Sequence, residues 1–103
     1  MVRMIKSVAE KRLGNVPADM RFWCHDGRYL NNLVELESAL GQMTEDTFRY
    51  HSNETKSDFA NWVRDVIGDE KLARDLQKSM SRAQAVKSTA DRVSWLKSKT
   101  ALG

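Results

Sequence analysis

Hydrophobic positions recur at helical spacing through most of this chain. From Val2 to Leu13, the residues Val2, Ile5, Val8 (with Ala9) and Arg12–Leu13 fall three and four apart. That spacing predicts an amphipathic helix with a basic outer face, stopped by Gly14-Asn15. In "NNLVELESALGQM", Leu33, Leu36 and Leu40 form one stripe flanked by Val34. Asn31 or Asn32 is the expected N-cap there, and Gly41 stands where a residue just past the helix end belongs. Thr44 then opens a short helix with Glu45 and Asp46 in its first turn, where the macrodipole favours acids, and the helix carries Phe48 and His51. The cleanest periodicity is Phe59, Trp62, Val63, Val66 and Ile67. Thr55, three before Asp58, matches a capping box in its acidic form, and Gly68 ends the run before Asp69 caps the next helix.

Between Asp69 and about Lys99 there is no Gly or Pro. Alternate steps of four and three lead through Leu72, Leu76, Ser79, Ala83, Val86, Ala90, Val93 and Lys97, most of them apolar. This predicts a long helix with a coiled-coil type of seam. Ser88 with Asp91 three later offers a restart, so a break near Lys87 is the alternative. The one strand-like stretch is "MRFWCHDGRYL", in which Asp26-Gly27 signals a tight turn between aromatic-rich arms. The expected fold is mainly α: five or six helices, one short β-hairpin near residues 21–30, and a long C-terminal helix. Its predicted core is Phe22, Leu33, Leu36, Leu40, Phe48, Phe59, Trp62, Val63, Val66, Ile67, Leu72 and Leu76.

A chain of 103 residues has room for one core, so residues 1–103 are expected to form a single domain. Within it lie a basic helix (1–14), a central unit (20–76) and a basic helical extension (77–103). The net charge of +3 is unevenly placed, with basic ends flanking an acidic centre. Such a pattern suits ends that dock on the centre, within one chain or between two, or ends that reach an acidic partner such as nucleic acid. The single cysteine, Cys24, gives no argument for an oxidising compartment. No secretory h-region follows the basic start, and no apolar run reaches the roughly 18 residues of a membrane span. A cytoplasmic protein with no membrane partner is the expectation.

The span from about Arg21 to Leu76 resembles a family of small archaeal and bacterial proteins defined as a domain of unknown function. The resemblance rests on the aromatic residues before Asp26-Gly27, on "NLVELESAL", on Met43, on "FRYH" and on "DFANWVRDVIGDEKLA". It implies a prokaryotic, archaeal source and no transferable activity, cofactor or catalytic residue. Both basic ends lie outside it.

Four chemistries compete for the remaining signals. Cys24, His25, Asp26, His51 and Asp58 are the available metal ligands, with His25, His51 and Asp58 as the candidate set. Their spacing lacks the paired ligands of a zinc site, so no metal or other cofactor is expected. His51 near Asp58 also allows a His–carboxylate pair for acid–base work, but no nucleophile or phosphate-cradling loop accompanies it. Asp58 is equally explained as a helix-start residue; His51 is called for by neither capping nor periodicity. Basic residues along the last helix, Arg82, Lys87, Arg92, Lys97 and Lys99, form a candidate phosphate-binding stripe. Finally, Leu76, Met80, Ala83, Val86, Ala90, Val93 and Trp95 form a candidate apolar interface. The leading expectation is a non-catalytic interaction module, self-associating or docking on a protein through this helix. The alternative is a small nucleic-acid-associated protein using its basic N- and C-terminal helices.

Overall fold

The structure, a computed structural model, describes residues 5–101. Among them, α1 (Lys6–Leu13) is followed by a 3-10 turn at Ala18–Met20 and a hairpin of β1 (Phe22–Trp23) and β2 (Tyr29–Leu30). Then come α2 (Leu33–Gln42), α3 (Glu45–His51), α4 (Asp58–Trp62) running on as a π-helical turn Val63–Ile67, α5 (Glu70–Lys78) and α6 (Arg82–Ala101). The mainly helical fold with one antiparallel hairpin and a long last helix is the one the periodicity predicts. Val2, in the first predicted helix, lies outside the described residues.

Side-chain caps set most helix starts. Asn32 accepts from the N–H of Glu35 at 2.8 Å, Thr44 from that of Thr47 at 3.1 Å, and Asp69 from that of Leu72 at 3.0 Å. Two expectations are corrected. The cap of α4 is Ser57, whose hydroxyl accepts from the N–H of Ala60 at 3.3 Å. Thr55 is taken up by the preceding loop, where its N–H and hydroxyl both donate to Asn53 Oδ1. Gly41 does not end α2, which runs through Gln42 and closes on Met43, whose N–H donates to Ala39 O at 2.8 Å.

The corner between α4 and α5 is a π-type ending: the N–H groups of both Gly68 and Asp69 donate to Val63 O, at 2.8 and 3.1 Å. Gly68 turns the chain there with a φ of +86°, a left-handed conformation that costs glycine least.

The predicted continuous helix from Asp69 to Lys99 is two helices, and the break falls at Ser79–Ser81 instead of near Lys87. Ser81 accepts from the N–H of Gln84 at 3.2 Å, while Gln84 Oε1 reaches back to the N–H of Met80 at 2.7 Å. This is a capping box displaced by one residue, and it competes successfully with helix continuation. Ser88 and Asp91 sit inside α6 without interrupting it.

Phe22 pairs with Leu30 and Trp23 with Tyr29 across the hairpin. Alternation sends Phe22 and Leu30 into the core and Trp23 and Tyr29 outward. Phe22 stacks on Phe59 at 5.2 Å between ring centroids, and Phe59 on Phe48 at 5.8 Å, tying the hairpin to α3 and α4. The other half of the core lies under α6, which packs on α1, α2 and α5. Its inward stripe is Ala85, Thr89, Val93 and Leu96. The predicted seam through Ala83, Val86 and Ala90 is therefore rotated away from the true one. Of the predicted core only Val66 is less than fully buried, and it packs against the cluster edge. Burying Leu96 alone contributes about 1.5–3 kcal/mol. No helix of the described residues is long and apolar enough to cross a membrane.

Candidate functional site

The structure draws His25, His51 and Asp58 together, but as a structural junction. His51 is 3% exposed. Its Nε2 lies 2.9 Å from the backbone N of His25 and its Nδ1 lies 3.0 Å from Asp58 Oδ2. A backbone N–H can only donate, so Nε2 is the acceptor, and the neutral ring carries its proton on Nδ1 and donates to the carboxylate. Both ring nitrogens are thereby used. The His25 ring does not face His51: it stacks on Tyr50 at 3.9 Å. Among the described residues no group of three or more His, Cys, Asp or Glu is placed to hold a metal ion. Asp58 also takes Lys56 Nζ at 3.0 Å. The arrangement clamps the hairpin turn to the end of α3 and the start of α4, which accounts for a histidine at this position.

Cys24 lies buried beneath the same turn. Burial pushes its thiol above the usual value, which suppresses the thiolate needed for nucleophilic or redox chemistry. Asp26, at the tip, is held below the usual carboxylate range by hydrogen bonding from the Arg28 guanidinium, whose Nη2 stands 2.8 Å away.

The outward side of the hairpin carries a surface that periodicity did not select. Trp23 and Tyr29 are 49% and 54% exposed, and Tyr50 on α3 is 47% exposed. Ring contacts join Trp23 to Tyr50 through His25, which Trp23 meets edge-on at 6.2 Å and which stacks on Tyr50, while Tyr29 stands opposite Trp23 in the hairpin register. The Arg21 guanidinium lies over Tyr29 at 4.6 Å and the Lys56 ammonium over Tyr50 at 4.8 Å. Within this face Arg28 is matched by Asp26 and Lys56 by Asp58. A sequence signal for it existed. Consecutive aromatics in a strand must point to opposite faces, so "FW" could not be buried whole.

The C-terminal candidates divide. Leu76 and Val93 are buried in the chain's own core, which removes them from the predicted partner surface; Val86 and Ala90 are half-buried on the flanks of α6. Ala83 is exposed, Met80 is almost wholly exposed at the α5–α6 corner, and Trp95 is partly exposed. Of the basic candidates, Arg82 is taken up internally: Nε pairs with Glu45 at 2.9 Å and Nη1 donates to the carbonyls of Leu40 and Gly41. Lys87 pairs with Asp91 on the same helix at 3.0 Å. Arg92 pairs with Asp69 at 2.9 Å, Lys97 is exposed, and Lys99 lies over the Trp95 ring at 5.0 Å.

Asp69 is a further key residue, beyond its capping role. It is fully buried and receives Arg92 from α6 and, at 3.4 Å, Arg12 from α1. Basic ends thus dock on the acidic centre within one chain. No family model, curated protein or solved structure matches this chain.

Proposed function

We propose that this protein is a non-catalytic interaction module that docks on a protein partner through the outward face of its hairpin. The observation that carries this reading is the set of half-exposed rings on one side of the hairpin: Trp23 and Tyr50 joined through His25, with Tyr29 opposite Trp23 in the register. Trp, Tyr and Arg are the residues that most often dominate binding energy when a partner covers them. Charges in that face are largely matched in place, Arg28 by Asp26 and Lys56 by Asp58, as suits the charge-depleted centre of a protein interface. The inward apolar stripe of α6 packs on α1, α2 and α5, which supports a reading of the hairpin as the contact surface.

Site-specific photocrosslinking in cells tests this. A benzophenone side chain at Tyr29 is expected to give protein adducts, and the same probe at Gln84 on the outer face of α6 is not. Adducts from Gln84 with none from Tyr29 would return the interface to α6. Light scattering over a range of concentrations separates a second copy of this chain from a foreign partner.

A further inference from the structure

The two basic segments that flank the acidic centre in sequence are neighbours in space. Helix α1 packs directly on α6, and Arg12 and Arg92 converge on the single carboxylate of Asp69. Residues 5–14 and 92–101 together hold six bases (Lys6, Lys11, Arg12, Arg92, Lys97, Lys99) and one acid, Glu10. Residues 15–91 hold ten bases and thirteen acids. Folding therefore concentrates the positive charge on one pair of helices, which is the electrostatic footprint of a polyanion site.

An aromatic group stands within that charge. Trp95 is 38% exposed, with the Arg92 guanidinium 4.4 Å and the Lys99 ammonium 5.0 Å from its ring. Lys6, Lys11 and Lys97 are exposed on the same two helices. Among the described residues no carboxylate lies within ion-pair distance of Lys6, Lys11, Lys97 or Lys99, and two guanidiniums share one carboxylate at Asp69.

We propose that the α1–α6 pair binds single-stranded nucleic acid, with these lysines on the phosphates and Trp95 against a base. This goes beyond the hairpin reading and uses different residues. Exposed cations interleaved with an aromatic ring are the combination that single strands require, because every base offers a π-face and every nucleotide a charge. An anionic membrane would instead call for an outward stripe of large aliphatic residues, and on α6 Val93 and Leu96 face inward while Val86 is half-buried.

Fluorescence anisotropy on the full chain tests this with labelled 20-nucleotide single-stranded DNA and RNA, the matching duplexes, and phosphatidylserine vesicles. Single strands are expected to bind at about 50 mM salt, with a slope of log K against log salt of about −3, as four to five phosphate contacts give. A Lys97→Ala/Lys99→Ala variant should lower that slope by about 1 to 1.5 and weaken binding about tenfold. Trp95→Ala should weaken it several-fold and remove the quenching of tryptophan emission on binding, as a stacking residue does. Lys71→Ala/Lys78→Ala, an equal charge loss on the exposed face of α5 and outside the site, should leave the slope within about 0.5 of wild type. Circular dichroism and a thermal melt establish that each variant is folded. The proposal is overturned by absence of single-strand binding, by preference for the duplex, by binding to vesicles in place of oligonucleotides, or by equal losses in the two double variants.

Discussion

The backbone N–H of His25 donates to Nε2 of His51 at 2.9 Å, so the turn of the hairpin is bonded to the last residue of α3. The link spans 26 residues and ends on a ring that also donates to Asp58 and packs against Phe22 and Phe59. A two-stranded hairpin with two residues per strand has little stability of its own. Its place in the fold depends on this bond and on burial of Phe22 and Leu30.

Replacing His51 by alanine should therefore cost about 2–4 kcal/mol, combining a lost buried ring with a backbone donor left without its partner. Asp58→Asn should cost only about 1 kcal/mol, because the amide oxygen still accepts the Nδ1 proton. Urea unfolding midpoints check both. Equal losses in the two variants would show that the ring's packing and the His25 bond contribute little. Zinc or a chelator should leave the melting temperature of the wild type unchanged, since neither ring nitrogen has a free lone pair.

The contrast between residues 41 and 68 gives a second expectation. Gly41 lies inside α2, and a Cβ built there meets nothing within 4 Å, so Gly41→Ala should stabilise the protein by about 0.5–1 kcal/mol through helix propensity. Gly68 also has open space, but its φ of +86° strains any L side chain. Gly68→Ala should destabilise by about 1 kcal/mol. Opposite signs in thermal melts are the test, and a loss at residue 41 would contradict the helical assignment.

These glycines also show what the sequence disclosed. Amphipathic stripes on α2 and α4 and the caps Thr44 and Asp69 were legible, because periodicity and capping are local and each residue carries its own signal. Gly41 reads as a helix end because a helix end and a tolerated interior glycine look alike over ten residues. The break at Ser79–Ser81 was written in Ser81 and Gln84, but the wider apolar spacing ran across it. Candidate sites were less legible still. The burial of Asp69 between Arg12 and Arg92 depends on how α1 and α6 approach a corner 57 residues from one and 23 from the other. His51 was conspicuous as a residue without a local reason; its reason is the N–H of His25, which only the tertiary fold brings near.

A pH expectation follows from Asp26. Its carboxyl is held below the ordinary aspartate value, first by the hydrogen bond from the Arg28 side chain. A depressed folded value means that the stabilisation is present above the unfolded aspartate pKa and is lost as pH falls through the folded one. Arg28→Ala should raise the Asp26 titration midpoint toward the ordinary range and diminish the acid-side loss of hairpin protection, because the folded and unfolded values then nearly coincide. Carboxyl carbon chemical shifts and amide exchange read the two effects. An Asp26 midpoint unchanged in Arg28→Ala would remove the assigned cause. The contribution to global stability is small, because the pair lies near the surface.

The Asp69 junction makes the most demanding prediction. Asp69→Asn keeps an oxygen to cap α5 but removes the carboxylate shared by Arg12 and Arg92. Breaking a buried pair in this way leaves uncompensated charge, so the expected loss is about 3–5 kcal/mol, far above that of a simple cap. Arg92→Met should cost less, because Arg12 remains beside the carboxylate, and Arg12→Met least, since its contact is longer and more exposed, at 3.4 Å against 2.9 Å. The two guanidiniums compete for one charge, so removal of both should cost more than the sum of the single losses. A double-mutant cycle by urea denaturation reads that coupling. If Asp69→Asn costs no more than about 1 kcal/mol, the cap alone accounts for the residue and the ends of the chain are held by apolar packing.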